Sequence, residues 1–387
     1  MTDAHRPARR VLTAPLPGAG PLLVVDDFRT HFDTPGGLVR AVDGVTLSLE
    51  RGKTLGVVGE SGSGKTVLAR SLMGLLTSRN VVRSGSATYN GQQLVGASNS
   101  QLRALWGTEI AMVFQDPMTS LNPVMKIGRQ ITEGLRYHLH LPKDEASEQA
   151  LQLLTSVGIP DPKRRLSQYP HELSGGMRQR VTIAISLACG PKLLFADEPT
   201  TALDVTVQAQ ILNLLQEQQR DRHMAMVLVT HDLGVVAGRT DEIAVMYAGQ
   251  IVEMAPTRTL FANVRMPYTE ALLKSIPKLE DPSHTRLQII GGRPPDLINP
   301  PNGCRFAPRC PYAQPKCHTE PPPLVEAETP GHLFRCWFPV GTAAGRDALA
   351  RNLAHHVPAA EAAVTGDSAA AAHVDAALVD AQKRGRA

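Results

Sequence analysis

Short apolar runs alternate with longer amphipathic stretches from residue 22 to about residue 274. That alternation predicts an α/β domain around a mainly parallel sheet, whose strands are buried on both faces and therefore read as unbroken apolar runs. Residues 54–58, 193–196 and 226–229 are the strand candidates, each ending at polar or glycine-rich residues. Helical patterns follow at 66–76 and at about 177–188, and several amphipathic segments within 116–167 predict a helical block inserted between strands. No internal repeat is visible, so a single such unit is expected.

The pattern changes on either side of this domain. Residues 1–20 are polar, Arg-bearing and Pro-rich, and are expected to be a disordered leader. The main domain then takes 21–275. A Pro- and Cys-rich segment with little helical periodicity follows at 276–341 and reads as a small appended domain. From 342 to 387 the chain is Ala-rich without strong caps, which suggests disorder or a lone frayed helix.

Composition narrows the class. The 387 residues are 42% apolar and 20% charged, as in ordinary globular proteins. Lys and Arg (40) barely exceed Asp and Glu (36), and no basic stripe marks a nucleic-acid surface. No run approaches the roughly 18 apolar residues of a membrane span, and the N-terminus lacks the apolar core of a secretory signal. A cytoplasmic protein that meets a membrane only through partners is expected. Four of the five cysteines, Cys304, Cys310, Cys317 and Cys336, crowd the C-terminal segment. In a reducing compartment such a group points to metal rather than to disulfides.

The segment Gly59-Glu60-Ser61-Gly62-Ser63-Gly64-Lys65-Thr66 fits G-x-x-x-x-G-K-[ST] between a strand and a helix. Glycines let backbone N–H groups turn inward around phosphates, and the helix that follows directs its positive end at them. Lys65 is placed to reach the β- and γ-phosphates and Thr66 to ligate Mg²⁺. Downstream, an apolar strand ends in Asp197-Glu198. The first acid suits the Mg²⁺ shell, and the second suits a general base that polarises the attacking water. Ser174-Gly175-Gly176 opens another helix and makes a second anion-binding terminus. Two cradles on one chain suggest a composite site, in which the serine loop of one copy caps a nucleotide held by another.

Taken in order, the phosphate loop, Gln115, LSGGM (173–177), LLFADE (193–198), TALD (201–204) and His231 resemble an ABC-type ATPase over about two-thirds of the chain. The resemblance implies a P-loop NTPase core with antiparallel β and helical subdomains, using ATP and Mg²⁺. It also implies that Gln115 touches Mg²⁺ and senses the transporter, that His231 is a switch on the γ-phosphate, and that Asp204 communicates across a dimer. Ser174 and Gly176 would contact ATP in trans, with Lys65, Glu198 and His231 the catalytic set. An aromatic residue ahead of the phosphate loop stacks on adenine in this family, and Phe32 is the candidate.

Within the family, FQDPMTSLNP (114–123), YPHELSGGMRQR (169–180), MPYT (266–269) and the Pro/Cys-rich extension look most like the ATPases of oligopeptide and dipeptide importers. That implies a second ATPase subunit, two permeases and an extracytoplasmic binding protein, with this chain on the cytoplasmic face of the membrane. Met177 within the signature resembles one of two ATPase types, hence a heterodimer. A non-transport ABC ATPase, in DNA repair or on the ribosome, is the alternative. The spacing Cys304-x₅-Cys310-x₆-Cys317-x₁₈-Cys336 matches neither the usual zinc pairs nor the common ferredoxin runs, which leaves iron–sulfur, zinc and free thiols open. A similar arrangement in related importer ATPases implies a [4Fe–4S] cluster.

Overall fold

The computed structural model describes residues 20–201, 203–276 and 290–365, so the expected leader and the end of the Ala-rich tail lie outside the described residues. The chain opens on the long strands β1 (Leu23–Thr34) and β2 (Gly37–Leu49) and then enters the core as β3 (Thr54–Val58), followed by α1 (Lys65–Leu72). It returns through β4 (Val81–Tyr89), β5 (Gln92–Gln93) and α2 (Asn99–Leu105) to β6 (Ile110–Val113). A helical block follows: α3 (Pro117–Ser120), α4 (Ile127–His138), α5 (Lys143–Ser156), α6 (Pro162–Arg165) and α7 (Gly175–Leu187). Next come β7 (Leu193–Asp197), α8 (Val205–Asp221), β8 (Ala225–Thr230), α9 (Leu233–Val236), β9 (Glu242–Tyr247) and β10 (Gln250–Pro256). The C-terminal part is α10 (Thr257–Ala262), α11 (Pro267–Lys274), α12 (Pro315–Thr319), β11 (Val325–Glu326), β12 (Leu333–Phe334), α13 (Ala343–Ala354) and α14 (Pro358–Thr365).

Two sheets result. One is antiparallel in the order β2-β1-β4-β5; the other runs β11-β12-β10-β9-β3-β8-β7-β6, with β9, β3, β8, β7 and β6 mutually parallel. Residues of β3, β7 and β8 are buried throughout, and their alternation divides the core in two. Leu55, Val57, Leu193, Phe195, Val227 and Val229 face the antiparallel sheet and α1. Leu194, Ala196, Met226 and Leu228 face the helical side, where α4 presents Ile127, Ile131 and Leu135 at four-residue spacing. No helix among the described residues is long and apolar enough to cross a membrane.

The C-terminal segment, expected as an appended domain over 276–341, packs onto the main domain. Its strand β12 pairs with β10 at the edge of the main sheet, and Phe306, Cys310 and Tyr312 join the main core. A stretch so rich in proline has too few apolar residues for a core of its own and borrows one. The Ala-rich region, expected to be disordered or a lone frayed helix, begins with a capped helix. Thr342 accepts a hydrogen bond from Gly345 N (3.1 Å) and caps α13. Asn352 then ties that helix down, donating to Pro311 O (2.8 Å) and Ala313 O (3.0 Å).

Candidate nucleotide site

Parallel strands end together, so the residues that follow β3, β8, β7 and β6 meet at one edge of the sheet. These are the phosphate loop, His231, Glu198 and Gln115 in turn. The loop is tightly enclosed. Gly64 has φ +103°, and a Cβ there would lie 2.2 Å from Ala41 O; one on Gly59 would lie 2.1 Å from Met246 O. Side chains are excluded where the loop needs its backbone close to its neighbours.

Lys65 is buried and donates to the loop carbonyls of Gly59 (2.8 Å) and Glu60 (2.9 Å). Burial lowers its pKa, opposed by the nearby charges of Glu198, Asp197 and Glu60. Thr66 Oγ1 donates to Asp197 Oδ1 at 2.8 Å. The other carboxylate oxygen, Oδ2, is buried without a hydrogen-bond partner among the described residues, and the nearest cation, Arg70 Nε, stands 3.9 Å away. Burial raises the Asp197 pKa. A buried, half-satisfied carboxylate beside a threonine hydroxyl is chemically suited to a hard divalent cation with oxygen ligands, so the residues expected to hold Mg²⁺ fit it.

Glu198 collects three groups on one oxygen. Its Oε2 accepts from Gln115 Nε2 (3.0 Å) and Thr201 Oγ1 (3.0 Å), and His231 Nδ1 lies 3.3 Å away. Its backbone has φ +44°, a conformation rare for a side-chain-bearing residue and concentrated at functional turns. Thr201 is thus a neighbour of the candidate base; only its place in the TALD run pointed to it.

The other expected residues make contacts of their own. Ser174 caps α7 by accepting from Met177 N (3.4 Å), Gly175 and Gly176 lie against Leu203 and Val207, and Asp204 caps α8 by accepting from Val207 N (2.9 Å). No hydrogen bond among the described residues joins Ser174, Gly175, Gly176 or Asp204 to the phosphate loop of the same chain. Phe32 sits half-buried on β1, paired with Val39 and Val81. Ser63 Oγ, inside the loop, is buried and without a partner among the described residues.

Two residues beyond the expected site hold the loop from outside, Arg309 with no signal in the sequence and Tyr268 marked only by its place in the MPYT run. Arg309, from the C-terminal segment, pairs with the Glu60 carboxylate, and Tyr268 OH accepts from Glu60 N at 2.8 Å.

The four clustered cysteines all line one apolar cavity of about 10 Å³, with Met266, Tyr312 and Phe338 among its walls. Burial pushes the Cys304 thiol up to about 11 and that of Cys310 well above its ordinary value. The convergence matches the expectation, but the space does not match a cluster. A cavity of that size holds about one water, and no group of three or more His, Cys, Asp or Glu among the described residues is arranged to hold a metal ion. The geometry therefore does not support the expected [4Fe–4S] site. Cys189, half-buried after α7, lies against the main core.

Known proteins resemble this chain over most of its length. The ABC transporter family profile matches residues 42–201, and that of the oligopeptide/dipeptide transporter C-terminal region matches 252–317. The oligopeptide transport ATP-binding protein OppD of Salmonella typhimurium is 49% identical over 84% of this chain and 96% of its own length. OppD of Bacillus subtilis is 49% identical over 82% of this chain and 88% of its own. Among solved structures, the dimeric ATP-binding cassette MJ0796 bound to ADP and Pi covers 61% of this chain and 99% of its own, with a TM-score of 0.55 at 24% identity. CbiO1 of Clostridium perfringens covers 63% and 91%, with a TM-score of 0.53 at 27% identity. These relatives give no support to the non-transport alternative. The chain belongs to the ABC transporter ATP-binding proteins, in the group that carries the oligopeptide/dipeptide transporter C-terminal region.

Proposed function

We propose that this chain hydrolyses ATP to drive import of di- or oligopeptides, or related small solutes, through a pair of permease subunits. The observation that carries the reading is the meeting of Lys65, Thr66, Asp197, Glu198, His231 and Gln115 at one sheet edge, in a chain so similar to OppD. Lys65 swings from the loop carbonyls to the β- and γ-phosphates, where its charge and the loop N–H groups position the substrate. Thr66 and Asp197 would hold Mg²⁺, which would supply charge neutralisation at the phosphate oxygens. Glu198 takes a proton from the attacking water, while His231 and Gln115 fix its carboxylate.

That Ser174-Gly175-Gly176 and Asp204 make no hydrogen bond to the phosphate loop among the described residues is consistent with a site completed by a second ATPase subunit. In that arrangement ATP is sandwiched between the loop of one subunit and the serine turn of the other. Closure on ATP and reopening after hydrolysis would then move the permeases. A different second ATPase, two permeases and an extracytoplasmic binding protein make up the assembly, with this chain peripheral on the cytoplasmic face. Phe32 is the residue assigned to adenine. Reconstituted with its second ATPase, permeases and binding protein, the chain should show ATPase stimulated by peptide and abolished by Lys65→Ala. Peptide-independent turnover with no uptake would overturn the assignment.

The finer expectation at Cys304, Cys310, Cys317 and Cys336, a [4Fe–4S] cluster or less readily a zinc ion, rests on four convergent thiols and on resemblance. Iron, acid-labile sulfide and zinc per chain, measured on protein purified without oxygen, decide it. Absence of all three would leave the residues as free thiols.

A further inference from the structure

A carboxylate inside a loop that binds phosphate is electrostatically unfavourable, and Glu60 is such a residue. Its charge is turned outward. Arg309 Nη1 lies 2.7 Å from Glu60 Oε2 and Nη2 lies 2.9 Å from Oε1, a two-pronged pair. The Arg309 side chain is 2% exposed, against 27% for Glu60. Its remaining donors are used as well, by Gly291 O (2.8 Å), Ile290 O (3.0 Å) and Tyr247 OH (3.2 Å).

The support beneath is aromatic. Tyr247, Tyr268 and Phe306 are fully buried, with ring centroids 4.5 Å apart for the tyrosines and 5.3 Å from each to Phe306. The Arg309 guanidinium lies 5.8 Å from the Tyr247 centroid and 5.9 Å from that of Phe306. Tyr268 also holds the Glu60 N–H. Nearby, Arg305 reaches Asp43 and Ala248 O, so both arginines between Cys304 and Cys310 grip the nucleotide domain.

We propose that Arg309 is a positioning residue of the nucleotide site. It neutralises Glu60 and turns it away from the phosphates, which makes nucleotide affinity depend on the C-terminal segment. The proposal rests on the nucleotide-site reading above, and the experiment separates the two.

MgATP is titrated calorimetrically into the full chain and its variants, with thermal unfolding recorded for each. Arg309→Met should raise the Kd at least tenfold, because an unpaired carboxylate is left beside the phosphates; the loss should shrink as salt rises. Adding Glu60→Gln to that variant should recover most of the affinity. A residue that only braced the fold would not be rescued by removing a charge from its partner. If Arg309→Met does not fold, Arg309→Lys carries the test, since it keeps the charge but loses the fork; it should bind more weakly and also be recovered by Glu60→Gln. Binding within twofold of the unaltered chain, or no recovery in the double variant, overturns the proposal while leaving the nucleotide site intact, provided Lys65→Ala abolishes binding. Failure of the unaltered chain to bind MgATP overturns both.

Discussion

Replacing Glu198 by Gln separates the chemistry of the site from its architecture. All three neighbours, Gln115, Thr201 and His231, meet the same oxygen, Oε2, at 3.0, 3.0 and 3.3 Å. A glutamine that presents its amide oxygen there can keep every one of those contacts, so the turn after β7 should hold its shape. Stability should then change by no more than about 0.5 kcal/mol, the range of substitutions that break no contact. What is lost is the proton acceptor. General-base catalysis is worth about 10²–10⁴ in rate, so turnover should fall at least about 100-fold, or about 2.7 kcal/mol of barrier. MgATP affinity should stay within about threefold, because Lys65, Thr66 and Asp197 are untouched. Single-turnover phosphate release gives the rate, and calorimetric titration gives the affinity. With hydrolysis blocked, ATP should also hold the assembled ATPase pair closed long enough to be seen by size-exclusion chromatography. Turnover within tenfold of the unaltered chain would remove Glu198 from the role of base. An equal loss of binding would mean that its charge organises the site rather than acts in it.

Three further outcomes follow from particular contacts. Gly64→Ala combines φ +103° with a Cβ 2.2 Å from Ala41 O, so the loop must shift; strain of about 1–3 kcal/mol should appear as MgATP binding weakened more than about tenfold in a chain whose circular dichroism is unchanged. Asn352→Ala removes the donor to Pro311 O and takes one of several hydrogen bonds from Ala313 O and from Gln314 Nε2; about 2 kcal/mol should be lost locally, read as faster amide exchange in 343–354 with unchanged ATPase. Glu253, fully buried, accepts from Arg265 N (2.7 Å) and His332 Nε2 (2.8 Å) on Oε1 and from Met266 N (3.2 Å) on Oε2. Glu253→Gln sets an amide donor against an N–H donor, and denaturant unfolding should show a loss of about 2–3 kcal/mol; an unchanged midpoint would argue against that reading.

The sequence by itself determined the elements and the chemistry that each strand end carries. Strands buried on both faces have to be written as apolar runs, which is why β3, β7 and β8 stood out nearly to the residue. A phosphate loop needs glycine where no Cβ fits, so Gly59 and Gly64 were legible as well. Tertiary structure alone decided what lies against these parts. The Glu60–Arg309 pair spans 249 residues and leaves no periodic trace, because a long-range ion pair needs only one residue at each end. Docking of the C-terminal segment was equally hidden. A Pro- and Cys-rich stretch reads locally as lacking a core, and whether it can share a neighbour's depends on surfaces made elsewhere in the chain. Here it takes the neighbour's core: β12 adds to the main sheet and Phe306 fills the space beneath the phosphate loop. Only the folded chain brings that segment against the phosphate loop, since burial and ion pairing arise between parts that the sequence keeps apart.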